Sequence, residues 1–297
     1  MMYNTTVAVN TSYTEMPTTI SSPQLNAPYK ITLIIIYSIV LLVGIMGLTL
    51  MMSLLKTNIR SLTTIAFLNL MVAHFLFLLT VPFRIYYYVS ETWGLHHGIC
   101  KVVSAMIHIH MYMVFTIYAI ILTFRFLHYY KKTQRTEFYR RLHAVCASAV
   151  MWSVLLLIML PTVLSQYGSK NEDNAQCFKF EKELENKSIY ALNMIVSITI
   201  VLVSFVQTCI QMIILHAMIQ KYGPASRSQQ EFLVQLKNLC FVLIMLTCLV
   251  PYQLFRLHYL KHVKDLNKIN EVFLAITALT CFDMLTFTGR GVWRVCC

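Results

Sequence analysis

Negative charge is scarce in this chain, with 12 acidic residues among 297. Ten of them lie in the N-terminal segment or between long apolar runs, Glu271 sits at the outer edge of the last run, and only Asp283 lies deep inside one. Charge kept out of helix-length runs is the mark of a lipid solvent. Charged residues of both signs make up 12% of the chain and apolar ones 58%, against about 25% and roughly 45–50% in an ordinary soluble domain. A water-soluble fold is therefore excluded. The sequence also lacks Gly-x-Ser-x-Gly, His-Glu-x-x-His, a second deep membrane aspartate, zinc-finger spacing and a basic stripe. Those absences set aside a hydrolase, an intramembrane protease and a nucleic-acid binder. The formal charge of +12 suits membrane-flanking loops instead. No internal repeat is visible, and no Gly- or Pro-interrupted helices recur in matching positions, so the patterns of a transporter or channel are missing.

What remains is a series of apolar runs. A spanning helix needs about 20 mainly apolar residues, and seven stretches qualify: 31–55, 62–88, 99–128, 142–164, 189–220, 233–260 and 268–287. The expected fold is an all-α membrane protein, a seven-transmembrane-helix bundle over 31–287. Residues 1–30 are expected to form an extracellular N-terminus and 288–297 a short cytoplasmic tail. The N-terminal segment has neither the basic start nor the apolar core of a signal peptide, so the first span is expected to serve as its own insertion signal.

Lys56 and Arg60 follow the first span, and Lys131, Lys132, Arg135, Arg140 and Arg141 crowd the second inner loop. These flanks place the C-terminus in the cytoplasm. Acceptor patterns for N-glycosylation begin at Asn4, Asn10 and Asn186, all in segments expected outside. Of nine cysteines, seven lie in or beside apolar runs or at the C-terminus, which leaves Cys100 and Cys177 at extracellular ends. An oxidising exterior would pair them. Cys296 and Cys297 are juxtamembrane candidates for palmitoylation.

Landmarks follow in a fixed order. Cys100 opens the third run and Arg125 closes it twenty-five residues later. Asn69-Leu70-Met71-Val72-Ala73-His74 lies in the second, Trp93 in the first outer loop, and Trp152 and Pro161 in the fourth. Cys177 follows in the second outer loop, Cys248-Leu249-Val250-Pro251-Tyr252 in the sixth run and Asp283-Met284-Leu285-Thr286-Phe287 in the seventh. This order resembles the rhodopsin-like G-protein-coupled receptors over residues 31–287. Pro82-Phe83-Arg84 and Pro251-Tyr252-Gln253-Leu254-Phe255-Arg256 resemble their purinergic-type branch. The resemblance implies a plasma-membrane receptor, with a ligand cavity opening outward and a heterotrimeric G protein docking on the cytoplasmic face through Arg125. It implies no enzymatic activity and no cofactor.

Several positions depart from the family pattern. Leu48 stands where the first-helix Asn belongs, His74 where the second-helix Asp belongs, Phe124-Arg125-Phe126 where Asp-Arg-Tyr belongs, and Met284 where the seventh-helix Pro belongs. The fifth run has no Pro, and no Tyr between Ala191 and Lys221. These losses leave a second reading in view, a seven-helix protein that modulates partner receptors without a ligand. They also bear on two sites. Without an acid at Phe124, one usual restraint on Arg125 is gone, and raised basal signalling is expected. His74 and Asp283 occupy positions that the family brings together around a sodium ion. An imidazole is a poor ligand for a hard cation, so the expectation is a polar pair in place of the sodium site.

His108 and His110 are two apart and point roughly 200° apart on a helix, so no metal site is expected from them. His108 and Tyr112 share a face. Arg84 and Arg256, from different runs, are expected to meet one wet cavity, because an arginine inside a membrane is expensive without one. Guanidinium groups suit carboxylate and phosphate. The expected ligand is therefore anionic, a nucleotide, a lysophospholipid or an acidic lipid, with Tyr252, Gln253, His108 and Tyr112 shaping the wall. Membrane lipids are the remaining partners.

Overall fold

The computed structural model describes residues 27–55, 62–130, 146–154, 156–157, 177–178, 187–223, 230–261 and 263–285. All regular structure among them is helical. The first span is α1 (Ala27–Leu55), and the second is α2 (Leu62–Leu78) followed by α3 (Val81–Ser90). The third is α4 (His97–Tyr130), and the described part of the fourth is α5 (146–154). The fifth is α6 (Lys187–Tyr222), the sixth α7 (Gln230–Ile244) and α8 (Val250–Tyr259), and the seventh α9 (Val263–Thr277). Five stretches among the described residues are long and apolar enough to cross a membrane: Pro28–Ser53, Ile65–Ser90, His97–Leu127, Tyr190–Lys221 and Val234–Tyr259. The seventh helix starts five residues before the expected 268, and Lys264, Asp265 and Lys268 make its first turns polar. The first likewise begins at Ala27 and not 31.

Three spans change their winding, two of them at a proline. Pro82 has no N–H and crowds the carbonyl four residues back, so α2 ends at Leu78 and α3 restarts with the proline in its first turn. Thr80 covers the break, its hydroxyl donating to the Phe77 carbonyl at 2.6 Å. Before Pro251, Met245–Leu249 widens into a π turn, a common way for a helix to absorb a displaced hydrogen bond. In the seventh span, where Met284 replaces the family proline, Ala278–Phe282 tightens into a 3-10 turn. Thr277 and Thr280 donate to the carbonyls of Leu274 and Thr277 there.

Apolar side chains cover both surfaces of the spans. Ile35, Leu42 and Met46 on α1 and Leu202, Phe205 and Ile213 on α6 are exposed on the outside of the bundle, as a lipid-facing surface requires. Hydroxyls on the lipid-facing side return to their own backbone, as Thr49 does to Ile45 and Thr199 to Ile195, which satisfies them without water. Inside, α2 packs on α4, α6 on α7 and α8, and α8 on α9. The side chain of Asn69 ties the second span to the fourth. It donates to the Ser148 hydroxyl at 2.6 Å and accepts from the Trp152 indole at 3.0 Å.

The first span lies so close to the seventh that a Cβ added at Gly47 would stand 2.9 Å from the Met284 Cβ. At Gly44 the obstruction is the end of the Leu78 side chain, 2.6 Å away, which can rotate. Gly47→Ala is expected to lower stability by about 1–3 kcal/mol more than Gly44→Ala, the usual cost of overpacking. Both glycines are mid-helix, so the gain in helix propensity cancels between them. Thermal unfolding of the two variants in detergent checks this. Equal melting temperatures would show that the helices separate freely at Gly47.

Candidate functional site

One fully buried polar group is built from the second, third and seventh spans. Asp283 is fully buried. It accepts from Tyr118 Oη at 2.6 Å, and its two oxygens lie 3.0 and 3.1 Å from His74 Nε2. A buried carboxylate needs such partners. The other nitrogen of His74, Nδ1, lies 2.8 Å from His110 Nε2 and 3.4 Å from Cys281 Sγ. His110 in turn stacks on Phe77 with ring centroids 4.3 Å apart. The position pair His74 and Asp283 was legible in the sequence, whereas Tyr118, His110 and Cys281 were not. Their grouping depends on how three helices rotate against one another, which no spacing within one helix reports.

A second group sits toward the Cys100 end. The disulfide joins Cys100 at the start of α4 to Cys177. The next residue, Phe178, has φ +67, a backbone region that bulky residues rarely adopt. That bend puts the Phe178 ring 4.5 Å from the Arg84 guanidinium, against Tyr87, Tyr88 and Trp93. Arg84 is fully buried. It donates to the Val103 carbonyl at 3.0 Å and the Tyr37 hydroxyl at 3.3 Å, and Glu271 Oε2 is 3.8 Å away. Tyr88 donates to the same carboxylate oxygen at 2.9 Å. Glu271, at the outer edge of the last run, thus faces into the bundle, and the charge of Arg84 is met by a carboxylate of the seventh span.

Arg256 is held differently. It is half-buried on α8 and donates to the Tyr252 hydroxyl and, at 2.6 Å, to the Asn193 carboxamide oxygen. Gln253 is buried beside it, accepting from Ser197 at 2.9 Å and reaching Met111. His108 is turned toward the Ser104 carbonyl, in electrostatic range of both Arg256 and Arg84. Tyr112 lies in range of Tyr252. The two arginines and the four residues expected to shape the wall therefore occupy one region, but Arg84 lies behind an internal partner. Asn193, Ser197 and Phe178 belong to this region too, and nothing in their local sequence marks them.

At the opposite end of α4, Arg125 is half-buried, and among the described residues no carboxylate pairs with it. Phe124 beside it is exposed. Asn4, Asn10, Asn186, Cys296, Cys297, Pro161 and the basic second inner loop lie outside the described residues.

Residues 46–285 match the family described as seven-transmembrane receptor (rhodopsin family). Probable G-protein coupled receptor 141 of Homo sapiens is 44% identical over 268 residues, covering 87% of this chain and 88% of that protein. Probable G-protein coupled receptor 34 of Mus musculus is 22% identical over 96% of this chain and 81% of its own length. G-protein coupled receptor 183-A of Danio rerio is 23% identical over 83% and 70%.

Proposed function

This chain belongs to the rhodopsin family of seven-transmembrane receptors, a receptor and not an enzyme, and we propose from that premise that it carries an extracellular anionic signal to heterotrimeric G proteins. In this reading the Cys100–Cys177 end faces the oxidising exterior and the Arg125 end faces the cytoplasm. The observation that carries the ligand class is the convergence of two arginines on one region, Arg84 from the second span and Arg256 from the sixth, whose donors reach Tyr252 and Asn193. Guanidinium groups suit carboxylate and phosphate. Tyr252 and Gln253 then set the approach and His108 and Tyr112 the floor, with the Arg84–Glu271 pair behind them.

Arg125 is the proposed G-protein contact, and Phe124 offers it no ionic restraint. Expression alone is expected to raise the output of a panel of G-protein sensors. Arg125→Ala should return it to background, and Phe124→Asp should lower it. With nucleotides, lysophospholipids and fatty acids applied in turn, Arg256→Gln should weaken the active compound roughly 10–100-fold, the range for a charge-assisted hydrogen bond, at equal surface expression. A response untouched by Arg256→Gln, or a first agonist that is cationic, overturns the anionic assignment. Silence of every sensor favours the ligand-independent modulator.

A further inference from the structure

The family to which the chain belongs implies a sodium ion beside the second and seventh spans, and the residues present do not fit one. Sodium wants several oxygen ligands, by the same logic as other hard cations. Here an imidazole nitrogen faces a second imidazole and a thiol. We propose that His74, His110 and Cys281 form a binding site for a zinc ion in the middle of the bundle, with Asp283 as its positioning residue.

Geometry supports this first. One donor atom from each of the three residues lies within 4.8 Å of the others, and all three side chains are buried. Zinc bonds of about 2.0–2.1 Å to nitrogen and about 2.3 Å to sulfur set tetrahedral edges of roughly 3.3 Å between nitrogens and roughly 3.6 Å between nitrogen and sulfur. The observed separations are 2.8 Å from His74 Nδ1 to His110 Nε2 and 3.4 Å from His74 Nδ1 to Cys281 Sγ. The imidazoles need to part by about half an ångström to admit the ion.

Proton accounting supports it next. Asp283 Oδ2 lies 3.1 Å from His74 Nε2, so a ring proton on that nitrogen has its acceptor and Nδ1 is the atom left to face the cluster. His110 Nε2 and Cys281 Sγ both converge on Nδ1, and one nitrogen cannot serve two partners well. Three lone pairs turned on one cation remove the conflict. A carboxylate on the far nitrogen of a ligating histidine is the arrangement that fixes ring orientation in zinc sites. Imidazole and thiolate are also the ligand types that select zinc over sodium, calcium or magnesium.

Charge closes as well. Zinc binding releases to solvent the Cys281 proton and whatever proton His74 Nδ1 carries. The two positive charges then meet the Cys281 thiolate and the Asp283 carboxylate, so the buried site is neutral as the bilayer interior requires. Three protein ligands leave the fourth coordination position to water.

The test uses the full chain, expressed with zinc in the medium, purified in detergent and dialysed against EDTA to strip exposed sites such as His96 and His97. Elemental mass spectrometry is expected to find about one zinc per chain. Cys281→Ser and His110→Gln should bring the zinc content to background, and Asp283→Asn should weaken retention by roughly 10–100-fold. Protein expressed with cobalt should show tetrahedral visible bands and a sulfur-to-cobalt charge-transfer band, and Cys281→Ser should lose the latter. If the wild type is folded, with Cys100 and Cys177 bridged, and carries no more zinc than Cys281→Ser, the cluster is held by protons alone and the proposal fails. The same holds if cobalt gives no thiolate band. Neither result depends on ligand or G protein.

Discussion

Arg84→Met is expected to remove most of the receptor from the cell surface. The substitution leaves the Glu271 carboxylate buried beside Tyr88 and Tyr37 without the cation that balances it. Breaking a buried ion pair from one side costs about 3–5 kcal/mol, a large part of the roughly 5–15 kcal/mol that holds a typical protein folded. Removing both charges is a different matter, because a neutral pair no longer has to be desolvated. Arg84→Met with Glu271→Gln keeps an oxygen for the Tyr88 hydroxyl and should recover most of the surface expression. Surface staining of the three variants, with thermal unfolding of whichever purify, decides it. A double variant no better than the single one would show that Arg84 acts through its bond to the Val103 carbonyl or its contact with Phe178, and not through charge.

Cys100→Ser and Cys177→Ser are each expected to destabilise the receptor by about 2–5 kcal/mol, the usual range for a native bridge. The bridge closes a loop across a sequence separation of 77, so its loss frees a long segment of the unfolded chain. It also releases the backbone that holds Phe178 over Arg84, and the aromatic cluster of Tyr87, Tyr88 and Trp93 loses its centre. The double variant Cys100→Ser/Cys177→Ser should match either single one. Wild-type surface levels in any of the three would mean that the aromatic packing suffices to hold the outer end. Alkylation of both thiols in mature surface protein would mean that the bridge does not form.

The bundle was legible in the sequence because a bilayer writes long apolar runs, and the segments that break them carry the charges. Asn69 and Trp152, read only as landmarks, touch one another across two spans, and Cys100 and Cys177 are joined. The runs did not report winding. Pro82 and Pro251 mark where a helix must change, but neither says whether the change is a restart or a π turn. The 3-10 turn of the seventh span has no proline at all. Rotation was equally silent. Glu271 was placed at an edge because a count of residues from the end of a run gives depth and not direction, and the bundle turns it inward onto Arg84. For the same reason His110 was compared with its sequence neighbour His108, although its partners His74 and Cys281 come from other helices.

The π turn at Met245–Leu249 holds one residue more than a regular helical turn would. The wide turn takes up that residue locally, and the span stays buried on both sides of it, at Gln235, Asn238 and Phe241 below and at Tyr252, Gln253 and Tyr259 above. A relative whose sixth span lacks the extra residue would align with this one below Met245 and be out of step above Leu249. Matching residue numbers across that boundary would then exchange a position that faces the bundle for one that faces lipid.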